Sequence, residues 1–513
     1  MQVLTSLPRK EWADARETLV AFSASNAEAL NIIDSALFVV VLDDIVPRSI
    51  DEAAANMLHG THLLNDNDVQ IGTCCNRWYD KLQIIVCADG TAGINFEHSA
   101  IDGHTALRLV SDIYAETVVN FAQSITKGIY GKGHVPHVVD GVVKRAAMTL
   151  NDQGEPKLDV FPKKLVLHFP SSVLDSIFFA ETALGDEIVA TDTVVLEFKK
   201  FGKLLVVSNK MRLVGEKTLP QCTSCTYYLV SPDSFVQMSI ILAYFSMYGK
   251  MVCAYEPVLT KQYYHGRTEA MRSATPAARE LCRVWVNKEA SNKQKLDALR
   301  AAVAEHSRLV KESAVGKGVD RHLFALKCVA QMNNMDVPAF FKSHPWTTLN
   351  HTVLSTSNCG NPSLRLFGFG PVVPDGFGIG YIIKDSALQY SVSSRQRQTQ
   401  RYARTLERTL LDLKKLLNPG NAVEVGATKR RNSSLREVKR PVVDAADDAY
   451  GDIWGESSAS VPPDISDSES SRGRRNKFTR YFPFVRKQKS VRGSLLTRVG
   501  QEIDLDSKSN GSE

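Results

Sequence analysis

The sequence predicts a mixed α/β fold, in which helices cover sheets that contain both parallel and antiparallel strands. Its composition, 43% hydrophobic and 23% charged over 513 residues, is that of a globular protein with enough apolar side chains for a sizeable core and for two or more domains. Across residues 1–418, short runs with strand character alternate with longer segments whose apolar residues recur at helical spacing. This alternation is typical of the α/β class.

The predicted strands include one hairpin. Lys81–Ala88 is a short apolar run that ends at Asp89-Gly90, a strong turn signal, and Gly93–Glu97 follows as the second strand. Two further strands are predicted over Val194–Phe198 and Tyr381–Lys384.

The first predicted helix spans Pro8–Phe22, with Pro8 in its first turn and apolar residues at helical spacing behind it. Further helices are expected where longer segments keep this spacing. They span Thr105–Glu116, Ser234–Tyr248, Pro276–Ser313 and Arg401–Leu417.

After Pro419 the composition becomes polar and basic, which predicts a disordered tail over residues 419–513. A solvated, phosphorylatable linker is the favoured interpretation of this tail, and contact with acidic surfaces such as membranes is the alternative. No nucleic-acid partner is expected, because the basic residues crowd into this segment and leave the rest of the chain without a strong charge bias. The basic clusters are Lys429–Arg431, Arg472–Lys477 and Arg486–Arg492.

Nine scattered cysteines favour reduced intracellular thiols over a disulfide framework, since the count is odd and unpatterned. The longest apolar runs, Ala36–Leu42 and Met238–Phe245, are too short to cross a membrane, so no transmembrane segment is predicted. No secretory or transit pattern opens the sequence. The expected location is therefore cytoplasmic, with a mitochondrial location as the alternative if the native N-terminus lies upstream.

The most informative segment is Asn95–Gly103 (NFEHSAIDG), in which His98 follows a predicted strand and Asp102 comes four residues later. Loops at strand ends often carry catalytic groups. Histidine is suited to moving protons near neutral pH, and transfer of an acyl group from a thioester to an alcohol requires such a base. The motif by itself leaves a structural histidine as an equal alternative.

This segment resembles the active-site histidine motif of the choline/carnitine acyltransferases, in particular of the fungal-type carnitine O-acetyltransferases. Asn76–Lys81 and Asp89-Gly90 are similar to the sequence that precedes the motif there, and further motifs follow in family order over most of residues 1–418. The resemblance implies that His98 is the general base and that Asp102 is the accompanying catalytic acid. A loop-capping carboxylate is the alternative for Asp102.

The resemblance also implies a chloramphenicol-acetyltransferase-like fold, with two similar α/β domains around a tunnel that carnitine and coenzyme A enter from opposite sides. Residues 1–140 would be the end of the first domain, residues 141–418 the second domain, and residues 419–513 the tail. The first domain would then be incomplete. The chain would be the C-terminal two-thirds of a longer enzyme, as a fragment or a truncated gene model.

Several lysines and acids resemble the coenzyme A side of the family. Lysines suit phosphate contacts as mobile point charges, although a solvated basic face is the alternative. Val207 stands where relatives usually carry another lysine, which is expected to weaken phosphate contact. The implied coenzyme A ligands are Lys203, Lys210, Asp233 and Glu256.

About nineteen extra residues, Arg212–Val230, interrupt this family-like sequence between Met211 and Ser231. They are interpreted either as untranslated sequence read through in a gene model or as a surface loop. Cys222 and Cys225 within them form a CxxC pair that lacks the partner ligands of a zinc or redox site, so no metal site is predicted.

A third group of residues resembles the carnitine side. Arg321 falls where carnitine-specific members keep an arginine for the substrate carboxylate, which a planar guanidinium can bind with two donors. Choline has no carboxylate, so Thr268 together with Arg321 favours carnitine; a helix-surface salt bridge is the alternative for Arg321. The implied carnitine ligands are Tyr255, Thr268, Arg321, Ser355 and Phe369, the last because aromatic faces attract quaternary ammonium.

Two further residues bear on the chemistry itself. Ser357 matches the position that stabilises the tetrahedral oxyanion. Phe367 matches the position beside the acyl tunnel, where a bulky side chain fills the space of a long chain and favours acetyl or another short group. Ordinary strand packing is the alternative for Phe367 and Phe369.

The sequence thus predicts an acyltransferase that reversibly moves a short acyl group, acetyl in the first instance, between coenzyme A and the carnitine hydroxyl. It predicts no covalent enzyme intermediate, no metal and no cofactor, since coenzyme A is a substrate. A catalytically inactive relative with a binding or regulatory role is the first alternative, and an interaction protein that docks through its basic tail is the second.

Overall fold

The computed structural model describes residues 1–99, 101–130, 164–203 and 231–417, without the side chains of 126–130. These residues form two sheets flanked by helices, and both sheets mix parallel and antiparallel strands. The predicted mixed α/β class is therefore confirmed. The predicted domain boundary near residue 140, Lys210, Val207, the insert Arg212–Val230 and the predicted disordered tail lie outside the described residues.

The first sheet has three strands in the order β1-β2-β3. β1 runs parallel to β2, and β2 pairs antiparallel with β3 through a tight turn, which confirms the predicted hairpin. Gly90 in the turn has a φ of 83°, a conformation that glycine adopts without steric cost, and the Thr91 amide donates to the Asp89 carboxylate at 3.0 Å. The strands are β1 (Val39–Leu42), β2 (Gln83–Val86) and β3 (Ala92–Asn95).

Five helices accompany this sheet in the described part of the chain. The first begins directly after Pro8, so the prediction that Pro8 lies in its first turn is wrong by one residue; the extended backbone of Pro8, with a ψ of 142°, precedes the helix. These helices are α1 (Arg9–Phe22), α2 (Ala24–Ser35), α3 (Ile50–His59), α4 (Gly103–Tyr130) and α5 (Ser171–Ala190).

The second sheet has six strands in the order β4-β9-β8-β7-β5-β6. Its centre, β8-β7-β5, is parallel, while β4 and β9 on one side and β6 on the other pair antiparallel. The strands are β4 (Asp192–Phe198), β5 (Ala254–Leu259), β6 (Thr268–Arg272), β7 (Leu354–Asn358), β8 (Phe377–Ile383) and β9 (Leu388–Ser394).

The helices of this half bury its main core. The first of them is buried all round over Ser234–Tyr244, and the last packs on it, with the Tyr402 hydroxyl donating to the Ile240 carbonyl at 3.0 Å. These helices are α6 (Pro232–Tyr248), α7 (Pro276–Val286), α8 (Asn292–Ala314), α9 (Asp320–Met332), α10 (His344–Asn350) and α11 (Thr399–Leu417).

The prediction of one helix over Pro276–Ser313 is wrong, because the segment forms α7 and α8 with a break at 287–291. The Asn287 side chain accepts from the Glu289 amide at 3.0 Å, which offers the backbone a turn in place of the helix. Ser291 then starts α8 with a capping box: its hydroxyl accepts from the Gln294 amide, and the Gln294 side chain accepts from the Ser291 amide at 2.8 Å.

All seven cysteines in the described residues are free thiols, as predicted. Cys87 is buried, whereas Cys253 is only half-buried. No helix in the described ranges is both long enough and apolar enough to cross a membrane.

Candidate active site

His98 lies in the loop between β3 and α4, with its side chain exposed. Its Nδ1 is 3.0 Å from the carbonyl oxygen of Ile101, and its ring meets the Phe96 ring edge-on at 5.9 Å between centroids. With its proton on Nδ1, the ring donates to this carbonyl and Nε2 keeps its lone pair. This is the tautomer that a general base requires.

The same loop is held by Arg267, which directly precedes β6. Its guanidinium donates to the carbonyl oxygens of His98 at 2.7 Å, Ser99 at 3.0 Å and Ile101 at 3.2 Å. Nη2 also lies 3.2 Å from Nδ1 of His98; because a guanidinium can only donate, this contact is a hydrogen bond only in the other tautomer, with the proton on Nε2. Arg267 therefore fixes the backbone of the loop that carries the candidate base.

Glu97 also stabilises this loop. Its carboxylate pairs with Arg9 at 2.7 Å and accepts from the amide of Ser99 at 2.9 Å and from the Ser99 hydroxyl. Burial alone would raise the pKa of Glu97, but the hydrogen bonds from Ser99 and the charge of Arg9 outweigh it and lower the pKa. Glu97 is therefore ionised, and its contacts with Arg9 and Ser99 hold the backbone next to the candidate base.

Asp102 is buried, with 5% of its surface exposed, and its carbonyl oxygen accepts from the Thr105 amide at the start of α4. One carboxylate oxygen lies 3.4 Å from Nζ of Lys261, close enough for charge attraction but without the alignment of a hydrogen bond. No hydrogen bond within the described residues joins Asp102 to His98. The helix contact is made by the backbone carbonyl and not by the carboxylate, so it does not support the capping alternative, and the predicted catalytic role stays a prediction.

Two predicted carnitine ligands meet directly. The Arg321 guanidinium, at the start of α9, donates to the Tyr255 hydroxyl on β5 at 3.1 Å. Burial raises the pKa of Tyr255, so the phenol stays protonated and can donate. The Arg272 guanidinium lies 5.7 Å over the Tyr255 ring and pairs with Asp320 at 2.8 Å. The Arg321 amide donates to Glu269 at 3.0 Å, but its guanidinium forms no ion pair within the described residues. The surface salt-bridge alternative for Arg321 is therefore not supported.

Thr268 opens β6, one residue after Arg267. β6 pairs with β5, the strand that carries Tyr255, so one strand pair connects the His98 loop and the Tyr255–Arg321 pair; Thr268 itself lies opposite Leu259, and Tyr255 lies opposite Arg272. Ser355 on β7 lies opposite Tyr255 in the parallel register of β5 and β7 and is buried. Ser357, two residues along the same strand and half-buried, lies opposite Gly380 on β8.

Phe367 and Phe369 are half-buried neighbours, with ring centroids 6.0 Å apart. Their backbone crosses β8 at two glycines: a Cβ on Gly380 would lie 2.2 Å from the Phe367 carbonyl oxygen, and a Cβ on Gly378 would lie 2.5 Å from that of Phe369. The Ser393 hydroxyl also donates to the Phe369 carbonyl at 2.5 Å. The glycines thus allow the two rings to be held against the sheet.

On the predicted coenzyme A side, the Lys203 amide donates to the Lys384 carbonyl at 2.9 Å, and its side chain is half-buried. Asp233 and Glu256 lie close together, with a carboxyl oxygen of one within 4.8 Å of a carboxyl oxygen of the other. Glu256 is buried, and its carboxylate also contacts Nε2 of His306 at 2.7 Å. As the structure stands, Glu256 is enclosed by its neighbours instead of lining an open surface.

These three side chains place their ligand-type atoms within 4.8 Å of one another. Burial raises the pKa of Asp233 and that of Glu256 to about 7 and lowers the pKa of His306 to about 4. Because every one of the three is already hydrogen-bonded to a neighbour, we assign no metal to this group. The predicted absence of a metal stays a prediction.

Sequence reasoning missed Arg267 and His306. Arg267 stood directly before the singled-out Thr268, yet its partners lie 166 or more positions away in the sequence. His306 lies in an amphipathic helix, where burial on the apolar side was the only available signal. No hydrogen bond in the described ranges joins His98 to Ser355 or Ser357.

Comparison with known proteins agrees with this arrangement. A family model described as choline/carnitine O-acyltransferase matches residues 1–408. A Saccharomyces cerevisiae protein named as a mitochondrial carnitine O-acetyltransferase is 39% identical over 84% of this chain, and the mitochondrial carnitine O-palmitoyltransferase 2 of Xenopus tropicalis is 32% identical over 80%. A Marinobacter aquaeolei wax ester synthase/diacylglycerol acyltransferase structure reaches a TM-score of only 0.31 at 11% identity, over 74% of this chain and 80% of its own, and adds nothing to the assignment.

The relatives are longer than this chain. The match spans 62% of the yeast protein and 54% of the Xenopus protein, so the chain covers about half to three fifths of their length. Within that span, the family model covers both described sheets and the His98 loop. This chain belongs to the choline/carnitine O-acyltransferase family.

Proposed function

We propose that this protein transfers a short acyl group, acetyl in the first instance, between coenzyme A and the hydroxyl of carnitine. The observation that carries the proposal is the link through Arg267 and Thr268. Arg267 fixes the loop of His98, and the next residue begins the strand that pairs with the Tyr255 strand. The base and the residues for a carboxylated alcohol are thus parts of one assembly.

In the proposed reaction, Nε2 of His98 takes the proton from the carnitine hydroxyl as that oxygen attacks the thioester carbonyl. The Ser357 hydroxyl donates to the oxyanion that develops on the carbonyl oxygen. The C–S bond then breaks, and the coenzyme A sulfur takes the proton from His98. The reverse reaction starts with His98 deprotonating the thiol, and no cofactor is proposed.

Carnitine would be held by its two charges. Arg321 and the Tyr255 hydroxyl already share a hydrogen bond and can both donate to the substrate carboxylate, with Thr268 as a further hydroxyl donor. Phe369 would face the trimethylammonium group near Ser355. Coenzyme A would contact Lys203, Lys210 and Asp233, with Glu256 acting through Asp233.

A protein that binds coenzyme A without transferring an acyl group is the second candidate. The observation that favours this candidate is the surface around β1, the outer strand of the three-stranded sheet, because it exposes large apolar side chains. Leu37 is 90% exposed and Leu42 is 72% exposed. Such surface is normally covered by a further part of the protein.

As to compartment, the name of the yeast relative favours a mitochondrial location over the cytoplasmic one.

The assay that tests the proposal follows thiol release from acetyl-coenzyme A with carnitine or choline as acceptor. We expect release that depends on carnitine and stays at background with choline, because choline has no carboxylate for Arg321. Folded protein that binds coenzyme A but releases no thiol with either acceptor would support the second candidate. Equal rates with both acceptors would contradict the carnitine assignment.

Chain length is tested by Phe367→Ala. We expect the ratio of kcat/KM for octanoyl-coenzyme A to that for acetyl-coenzyme A to rise by about tenfold or more, since removing a ring opens space for an apolar chain. Phe369→Ala is the matched control: it removes the neighbouring ring, 6.0 Å away between centroids. It should raise the KM for carnitine and leave the chain-length ratio near that of the wild type. An unchanged ratio in Phe367→Ala would mean that other residues limit the acyl chain.

A further inference from the structure

A chain of polar side chains, all buried except the half-buried Asp233, crosses the second half of the molecule from α8 to β7. It begins at His306 on α8, which is 1% exposed, and ends at Thr356 on β7, which is fully buried. Every link but one is a hydrogen bond between side chains from different helices and strands; the exception is the Asp233–Glu256 pair, whose carboxyl oxygens lie within 4.8 Å. The intermediate members are Glu256 on β5, Asp233 and Gln237 on α6, and Tyr381 on β8.

The protons at the His306 end can be assigned. Nε2 lies 2.7 Å from the Glu256 carboxylate, and Nδ1 lies 2.8 Å from the Ser234 hydroxyl. Burial lowers the pKa of His306 to about 4, so the ring is neutral near pH 7 and donates from one nitrogen only. Donation to the carboxylate is the stronger choice, which leaves Nδ1 to accept from Ser234.

The middle of the chain holds one shared proton. A carboxyl oxygen of Asp233 lies within 4.8 Å of one of Glu256, and two acids this close in a desolvated site favour one protonated and one ionised group. Since His306 donates to Glu256, the proton belongs on Asp233. The Tyr381 hydroxyl donates to one oxygen of Asp233 at 2.5 Å. Two neighbouring carboxylates would repel each other strongly if both were ionised.

At its far end, this chain of polar side chains holds β7 in place. The Gln237 amide donates to the Tyr381 oxygen at 2.9 Å and to the Thr356 hydroxyl at 2.8 Å, and Thr356 donates in turn to the Tyr255 carbonyl at 2.8 Å. Thr356 stands between Ser355 and Ser357. The chain therefore ties the strand that carries both serines to α6 and to the strand of Tyr255.

We propose that His306 is a positioning residue for acyl transfer: its donation to Glu256 keeps the Asp233–Glu256 pair singly protonated, and the resulting hydrogen-bond chain fixes β7 so that Ser357 meets the oxyanion. This inference rests on the proposed function and adds a residue to it. His306 touches neither substrate nor reacting atoms. Its effect passes through Glu256, Asp233, Tyr381 and Gln237.

Three variants separate this role from simple packing. Glutamine at position 306 keeps a donor near the place of Nε2, whereas asparagine reaches only as far as Nδ1 and leucine offers no polar atom. We expect His306→Gln to retain kcat within about threefold, and His306→Asn and His306→Leu to lower kcat by about 10-fold to 100-fold, with a smaller change in the KM for carnitine. Equal loss in His306→Gln and His306→Asn, or a loss confined to KM, would overturn the proposal.

A second measurement, of thermal stability against pH, does not require the protein to be an active enzyme. It therefore distinguishes a failure of this inference from a failure of the proposed function. The groups that face the shared proton are Asp233, Glu256, His306, Tyr381 and, from β9, Tyr390. Burial raises the pKa of both acids, so their protonated form stabilises the folded state at low pH and this stability is lost as pH rises through about 7. His306, with its lowered pKa, contributes in the opposite sense only as pH falls through about 4.

We therefore expect the Tm of the wild type to fall between about pH 6 and about pH 8.5 by a few degrees more than that of Asp233→Asn, which removes the shared proton and keeps a polar amide of similar size. This difference should persist even in a chain without transferase activity. Parallel Tm curves for the two proteins would overturn the shared proton and with it the proposal.

Discussion

Replacing His98 by alanine is expected to lower kcat for acetyl transfer by about 10²–10⁴-fold, the range that a general base contributes. The ring is exposed, and with its proton on Nδ1, 3.0 Å from the Ile101 carbonyl, Nε2 keeps the lone pair that a base needs. Thiol release from acetyl-coenzyme A with carnitine measures the effect. The KM for carnitine should change far less, because Arg321 and Tyr255, not His98, would hold its carboxylate.

His104→Ala is the matched control. His104 lies in the first turns of α4, six residues along the chain, and is half-buried. Its removal deletes the same side chain from the same region, and we expect kcat to stay within about twofold, as for a surface residue outside the site. Similar losses in the two variants would show that the region tolerates no truncation and would remove the support for His98 as the base.

Much of the fold followed from local signals. The first hairpin was predictable because an apolar run met Asp89-Gly90, a turn that needs a glycine with positive φ. The break between α7 and α8 was missed because 287–291 contains no proline or glycine; the side chain and the carbonyl oxygen of Asn287 accept the hydrogen bonds that turn the backbone there. Helical apolar spacing continues on both sides of such a break and conceals it.

The residues of the candidate site that belong to family-like motifs could be predicted from the sequence. The residues that act through other side chains or through the backbone of a distant loop could not. Tyr255 and Arg321, 66 positions apart, were both singled out and do meet in the structure. Arg267 could not be singled out, since its importance comes from carbonyl oxygens in a loop that only the folded chain brings near. Glu256 was predicted as a ligand contact, but the burial that encloses it depends on α8, which no local pattern connects to β5.

The largest effect on stability is expected at Arg77, far from any predicted ligand. Arg77 is fully buried and binds Asp43 with two hydrogen bonds, at 3.0 Å and 2.8 Å, while Asn56 accepts two more at 3.1 Å. Asp43 follows β1 and Asn56 lies in α3, so this arginine joins a strand to the helix beside it. Arg77→Ala should lower the free energy of unfolding by about 3–5 kcal/mol, because it leaves a buried carboxylate with no counter-charge.

Urea unfolding followed by circular dichroism measures this loss, and Arg108→Ala supplies the matched comparison. Arg108 also meets an aspartate through two contacts, with Asp112 at 3.0 Å and 2.9 Å, but 64% of its side chain is exposed. Solvent screens that pair, so its loss should cost only a few tenths of a kcal/mol. Arg77→Lys should fall between the two, since an ammonium group restores the charge but cannot reach Asp43 and Asn56 together. If Arg77→Ala lowers the free energy of unfolding no more than Arg108→Ala does, then water solvates Asp43 in the variant. The contact between β1 and α3 would then depend on apolar packing and not on this ion pair.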